Sequence, residues 1–178
     1  MSGSWKFVVQ WDERAMRKTR LYLDTSPIIM IEPGQDPIRQ VITKEFFRIV
    51  AEKSDEYELF VSPVTLEELA AGVKKYGDGS ILFLNSLDHI ELPENDQSEK
   101  LSLLYFVDDV LSKAPINDLR HVAYAVVSCC DYVITWNMKH LANEKTVTHV
   151  NVVNGNNDYG KIYIATPEFI IGGKIYGK

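Results

Sequence analysis

The sequence feature that most limits the possible fold is a short apolar run followed at once by a helix-start signal, and it occurs twice. Leu21 to Leu23 is followed by Asp-Thr-Ser-Pro, and Tyr57 to Val61 is followed by Ser-Pro. A hydroxyl residue next to proline is typical of a helix N-terminus, where the N–H that proline lacks is not needed. A buried strand that turns directly into a helix predicts the repeating unit of an α/β protein.

The remainder of the chain continues this alternation. Apolar residues recur at helical spacing from 38 to 50, and an amphipathic helix is predicted between 95 and 112. Short strands are expected at 89–93, 132–135 and 161–165. Between 145 and 154 local propensity favours a strand, but the spacing of the valines favours a helix, which we predict. Strands that alternate with helices indicate a parallel sheet covered by helices on both faces.

The composition fits one globular domain of 178 residues, with 46% hydrophobic and 25% charged residues. We expect residues 20–178 to form this domain and residues 1–19 to form an extension of unknown role. Trp5 and Trp11 in that extension predict docking on the domain or on a neighbouring subunit. Cys129 and Cys130 are adjacent and are predicted to be reduced core thiols.

Charge and hydropathy restrict the functional classes. No apolar run approaches the roughly 18 residues of a membrane span, and no signal-peptide pattern is present, so a cytoplasmic location is expected. The net charge of −6 argues against strong non-specific adhesion to nucleic acid, which depends on Lys and Arg. Any contact with nucleic acid must therefore be local.

Three acids stand where an α/β fold forms its sites. Asp24 ends the first strand, Glu68 lies soon after the second, and Asp118 opens a helix. Sites in open parallel sheets form outside the carboxyl ends of the strands, where right-handed crossovers bring such residues together. Carboxylates in one small cavity repel one another unless a divalent cation is bound, and oxygen ligands suit Mg²⁺ or Mn²⁺. The sequence predicts metal-assisted chemistry on phosphate.

Each of these acids also has a purely structural interpretation. Asp24 stands where a helix cap would be, Glu68 fits a capping box with the threonine three residues earlier, and Asp118 suits the positive end of a helix dipole. Glu67 is the alternative ligand if Glu68 faces outward. His121, one turn after Asp118, is more commonly an interior histidine than a ligand.

The motifs around these acids resemble the PIN domain, and within it the VapC-like toxin ribonucleases of toxin–antitoxin systems. The resemblance covers about residues 20–170. It is carried by Leu-Asp-Thr-Ser at 23–26, Val-Thr-Leu-Glu-Glu-Leu at 64–69, Asn-Asp-Leu-Arg-His-Val-Ala-Tyr-Ala at 117–125, Asp-Tyr-Val-Ile-Thr-Trp-Asn at 131–137 and Thr-Pro-Glu at 166–168.

The resemblance implies a three-layer α/β/α sandwich with a central, mainly parallel sheet. It also implies a Mg²⁺- or Mn²⁺-dependent endoribonuclease that cleaves single-stranded or structured RNA with metal-activated water. Such proteins are often homodimers and are often inhibited by a cognate antitoxin protein. By correspondence of motifs, Asp24, Glu68 and Asp118 are the expected metal ligands.

The match departs from the family pattern at its fourth acid. Many PIN domains have aspartate where this chain has Asn137, whose amide brings no negative charge, so the number of bound cations stays open. We expect Asn137, Thr135 and Ser26 to orient water or the scissile phosphate. Lys139 and Arg120 are candidate phosphate contacts.

Two other functions are considered. A catalytically weak or inactive PIN-like domain that binds RNA or protein is the main alternative, because of Asn137 and the acidic pI. An aspartate-based phosphatase is disfavoured, because that chemistry needs a second Asp two residues after the first, and position 26 is Ser. No glycine-rich phosphate loop indicates a nucleotide-binding enzyme.

Overall fold

A computed structural model describes residues 17–110 and 115–176. In chain order its elements are β1 (Thr19–Leu23), α1 (Thr25–Ile29), α2 (Pro37–Glu52), β2 (Tyr57–Val61), α3 (Pro63–Tyr76), α4 (Gly79–Ser86), β3 (Ile90–Glu91), α5 (Asp96–Val107), α6 (Ile116–Val127), β4 (Tyr132–Ile134), α7 (Glu144–Asn156), β5 (Tyr163–Ala165) and α8 (Pro167–Tyr176). The predicted alternation of strands and helices is confirmed.

The sheet is five-stranded and all parallel, in the order β3-β2-β1-β4-β5. The chain builds β2 and β3 on one side of β1 and then crosses to build β4 and β5 on the other. Leu23 at the end of β1 pairs with Ile134 at the end of β4. The point where the direction of building reverses therefore lies between these two strand ends, which is where open α/β sheets form their sites.

Alternation along β1 divides the core between the two faces of the sheet. Tyr22 packs with Phe60 and with residues of α5, α6 and α7 on one face. Leu21 and Leu23 pack with residues of α1, α2, α4 and α8 on the other. This two-residue period is that of a strand buried on both faces. The predicted α/β/α layering is confirmed.

The segment at 145–154 forms α7, as its valine spacing predicts. Val150 and Val153 face the core, and the neighbouring Asn154 is completely buried with them. The hydroxyl of Tyr105 in α5 donates to Asn154 Oδ1 at 2.5 Å, and Asn154 Nδ2 donates to the carbonyl of Gly160 at 3.1 Å. Both ends of a buried amide are therefore satisfied, which joins α7 to α5 and to the turn that follows.

Several details differ from the sequence-based expectations. Strands β3 and β5 are shorter than the strands predicted at 89–93 and 161–165. Helix α5 ends at Val107 rather than near 112, because Asp109 has a left-handed φ of 53°. Cys130 is buried, but Cys129 is exposed, so the prediction of two core thiols is wrong for Cys129. The reason is that α6 ends at Val127 and Cys129 has a φ of 54°, which turns the chain out of the helix.

The tryptophans of the N-terminal extension, Trp5 and Trp11, lie outside the described residues, so their docking stays a prediction. Strand β1 begins at Thr19, one residue before the predicted start of the domain. Within the described ranges, no helix combines the length and the apolar character that crossing a membrane requires.

The bond between Tyr105 and Asn154 gives a test of the α5–α7 packing. We expect Tyr105→Phe to lower the free energy of unfolding by about 1–3 kcal/mol, because a buried carbonyl oxygen loses its donor. Urea denaturation measures the change. The control is Tyr159→Phe, which removes only a 3.4 Å contact with Gln97 and should cost about 0.5 kcal/mol or less. Equal stability of the two variants would contradict the assignment.

Candidate metal centre

Asp24 combines a structural role with a place in the site. It follows β1 directly, is 6% exposed, and caps α1 by accepting a hydrogen bond from Thr25 N at 2.7 Å through Oδ1. Its other oxygen, Oδ2, accepts from Ser26 Oγ at 2.7 Å and from Thr135 Oγ1 at 2.5 Å. The capping and functional interpretations of this acid are therefore compatible, since the carboxylate that caps α1 also lies in the site.

Ser26 and Thr135 both direct their hydroxyl hydrogens at Asp24. Their oxygens in turn accept backbone N–H groups, from Trp136 to Ser26 Oγ and from Asn137 to Thr135 Oγ1, each at 2.9 Å. These bonds connect the end of β1 to the end of β4. The two hydroxyls hold Asp24 in a fixed orientation.

Glu68 faces the site, and Glu67 faces away from it. Helix α3 begins at Pro63, so Glu68 stands in the second turn and is not part of a capping box. Its Oε2 accepts from Thr25 Oγ1 at 2.5 Å and its Oε1 from Asn117 Nδ2 at 2.9 Å. Glu67 is exposed and lies 3.4 Å from the guanidinium of Arg120.

His121 is fully buried and lies against both acids. Its Nε2 is 3.1 Å from Glu68 Oε2 and 3.3 Å from Asp24 Oδ1. Its Nδ1 is 2.8 Å from the hydroxyl of Tyr22, which is itself 2.6 Å from Ser62 Oγ. One ligand atom each from Asp24, Glu68 and His121 lie within 4.8 Å of one another. The sequence favoured an interior histidine at 121, and the side chain is indeed buried, but it also contacts both acids.

Asp118 occupies the other side of the site. It is 9% exposed and is not a member of the three-residue group, although it lies near enough to Asp24 for the two charges to interact. Its Oδ2 accepts from Asn137 Nδ2 at 3.0 Å, and Asn137 Oδ1 accepts from the backbone N–H of His140 at 3.1 Å. Where many PIN domains have a fourth acid, this chain has a neutral amide that binds the third.

The buried charges oppose one another across the site. Burial disfavours ionised Glu68, but the hydrogen bond and charge of His121, with bonds from Thr25 and Asn117, lower its pKa. Burial likewise disfavours charged His121, yet the bond to Glu68 and the charges of the three acids raise its pKa. Burial and the charge of Asp24 raise the pKa of Asp118 to about 6. Without a cation, His121 is therefore the group that offsets the negative charge.

The donor set fits a divalent cation. Two carboxylate oxygens and an imidazole nitrogen converge, and each carboxylate is held by further hydrogen bonds, as the ligands of functional metal sites generally are. Thr25 and Asn117 supply part of this support, and Tyr22 supports the imidazole. None of the three was foreseen as a site residue. A tyrosine hydroxyl within a buried strand and an amide beside Asp118 were the signals present in the sequence.

The candidate phosphate contact Arg120 is engaged elsewhere. Its guanidinium donates to Glu99 at 2.9 Å, in addition to its contact with Glu67. These two ion pairs hold it on the outer side of α6. Lys139 is exposed beyond the end of β4.

Asp118 gives a prediction about pH. Because its folded-state pKa of about 6 exceeds the ordinary aspartate pKa of 3.8, its ionisation destabilises the fold as pH rises through that window. In metal-free protein we expect Asp118→Asn to raise the free energy of unfolding by about 2 kcal/mol at pH 7.5, and by much less at pH 4. Urea denaturation in chelator measures both. Asp55→Asn, in an exposed turn, controls for the loss of one charge, and a pH-independent effect of Asp118→Asn would contradict the assignment.

The overall fold has similar solved structures, although no match is found from the sequence. No family model and no curated protein matches the sequence. Solved structures do match: VapBC2 of Rickettsia felis bound to a promoter DNA fragment (12% identity, TM-score 0.57, covering 83% of this chain and 98% of the other) and VapBC-1 of nontypeable Haemophilus influenzae (19%, 0.52, 84% and 99%).

A third similar structure is VapC20 of Mycobacterium tuberculosis, a toxin that cleaves the sarcin–ricin loop. It has 14% identity and a TM-score of 0.50, and the match covers 64% of this chain and 86% of the other. Identities this low establish the fold alone. The chain therefore has the PIN-like α/β fold of the VapC toxins, as its motifs predict.

Proposed function

We propose that this protein is a metal-dependent endoribonuclease that hydrolyses a phosphodiester bond of RNA. The observation that carries the proposal is the convergence of Asp24, Glu68 and His121 within 4.8 Å at the carboxyl edge of a VapC-like sheet. A fold alone does not define a function, so the function is inferred from the chemistry of this site. VapC20, which has a similar fold, is a toxin that cleaves the sarcin–ricin loop, and this supports RNA as the substrate class.

The side chains have distinct roles in this proposal. A bound Mg²⁺ or Mn²⁺ would lower the pKa of an attacking water and stabilise the leaving oxygen. Asp24 and Glu68 would hold the cation, each fixed by hydroxyl donors, and Asp118 would add negative charge beside them. No side chain acts as a covalent nucleophile.

The substitution at Asn137 bears on the number of cations. With Asn137 neutral and donating to Asp118, the far side of the site holds a single carboxylate. A second divalent cation would have too little negative charge to replace its hydration. We therefore propose one tightly held cation, with Asn137 positioning Asp118. Ser26 and Thr135 position Asp24 in the same way.

The same comparison supports one proposed protein partner. Two of the similar structures are VapBC antitoxin–toxin complexes, which supports a cognate antitoxin for this chain. A homodimer and a cytoplasmic location complete the proposal. The tryptophan-containing extension at 1–19 is the proposed contact for a partner.

Adjacent glutamates provide a sharp test of the catalytic site. We expect Glu68→Gln to reduce Mn²⁺-dependent cleavage of a fluorescent RNA by about 100-fold or more, as does Asp24→Asn, because each removes a charged ligand. Glu67→Gln, which changes the neighbouring exposed residue, should stay within about threefold of wild type. Cleavage should stop in chelator and return with added metal.

Cleavage that persists in chelator would refute the metal mechanism.

The second candidate function, a binding module without useful catalysis, is favoured by the amide at Asn137. Calorimetric titration with Mn²⁺ distinguishes the two, since absence of binding at millimolar metal supports the module and not the nuclease.

A further inference from the structure

We propose that His121 is a nitrogen ligand of the metal centre and makes it select first-row transition cations such as Mn²⁺ and Co²⁺ over Mg²⁺. This inference depends on the metal site of the proposed function, but it concerns which cation binds and not which substrate is cleaved. The motif resemblance assigns only acids to the metal. The assignment of the imidazole as a ligand is based instead on the position of His121 beside Asp24 and Glu68.

The distances suit a shared coordination shell. His121 Nε2 lies 3.1 Å from Glu68 Oε2 and 3.3 Å from Asp24 Oδ1. Neighbouring ligands of an octahedral ion with bonds of about 2.1 Å are about 3 Å apart. The nitrogen is therefore separated from both oxygens by the distance expected of adjacent ligands. Asp118 is outside this group, so the third converging donor is nitrogen rather than oxygen.

The surroundings of the ring are compatible with the tautomer that a ligand needs. With a hydrogen on Nδ1, His121 donates to the hydroxyl of Tyr22 at 2.8 Å, and Tyr22 can donate onward to Ser62 Oγ at 2.6 Å. Without a cation, Nε2 also carries a hydrogen, which it donates to Glu68 Oε2 at 3.1 Å, and a bound cation would take the place of that hydrogen. The side chains of His121, Tyr22 and Ser62 are buried. A histidine ligand whose other nitrogen is held by a buried partner is the usual arrangement in metal sites.

Cation preference follows from the donor set. Mg²⁺ binds oxygen ligands and retains water, whereas imidazole favours transition cations, whose affinity for a given nitrogen–oxygen site rises from Mn²⁺ towards Cu²⁺. An imidazole also brings no negative charge to the cation, whereas a hard ion binds best to charged oxygen ligands. If His121 instead only donated hydrogen bonds to Asp24 and Glu68, its loss would change the affinity of the site for every cation by a similar factor.

The direct test uses the full-length wild-type protein loaded with Mn²⁺. Pulsed electron paramagnetic resonance should detect a directly bound imidazole nitrogen, and the coupling should change when the histidines are labelled with ¹⁵N. The coupling should vanish in His121→Gln and persist in His140→Gln, which alters the histidine beside Asn137 and Asp118. Absence of nitrogen coupling in Mn²⁺-loaded wild type overturns the proposal, whether or not the variants fold.

A second measurement tests selectivity. Calorimetry should show that His121→Gln weakens Mn²⁺ and Co²⁺ binding by about 10-fold or more but changes Mg²⁺ affinity by no more than about threefold. Tyr22→Phe should give a smaller loss in the same order of cations. Equal loss for all three cations would reduce His121 to a positioning residue and overturn the proposal. If wild type binds Mn²⁺ through His121 but cleaves no RNA, the proposed function fails and this inference stands.

Discussion

The contact of buried His121 with Asp24 and Glu68 is the interaction on which the site depends. Placing two carboxylates at the end of a buried sheet costs several kcal/mol per charge unless donors and an opposite charge are supplied. The chain supplies both: hydroxyls from Thr25, Ser26 and Thr135, and an imidazole that reaches two acids at once. These groups keep the acids together when no cation is present. A divalent cation would then enter a site whose ligands are already oriented.

The sheet topology decides which residues take part. Since β1 is central and β4 lies beside it, the loops after these strands meet, and the hydroxyls of Ser26 and Thr135 both reach Asp24. Helix α3 follows β2, the neighbour of β1 on the side opposite β4, and carries Glu68. Helix α6 carries the imidazole of His121. Every contributing segment begins at or crosses the carboxyl edge of the sheet. The positions far apart in sequence therefore become one site through parallel connections alone.

The fold could be predicted from the sequence because its signals are local and repeated. Strands β1 and β2 combine buried alternation with a helix start directly after them, and the valine spacing of α7 outweighed its strand propensity. The ends of helices were harder to predict. Helix α5 ends where Asp109 adopts a left-handed conformation, and an aspartate does not by itself signal that conformation. Asp24 and Glu68 stand out in sequence because each is an acid near a strand end. His121 does not stand out, because its place in the site depends on contacts with Tyr22 and Glu68, which are distant in sequence.

The neutral residue at 137 and the histidine at 121 both lower the net negative charge of the site. An acid at 137 would lie beside Asp118, whose pKa is already raised by burial and by Asp24, and a further charge there would make the ionised site less stable without metal. The amide instead donates to Asp118, and the imidazole compensates the other two acids. Both features leave less negative charge to attract a hard cation, which is held mainly by charged oxygen ligands. A centre built this way holds its shape with no ion bound and favours a cation that accepts nitrogen over one that requires only charge.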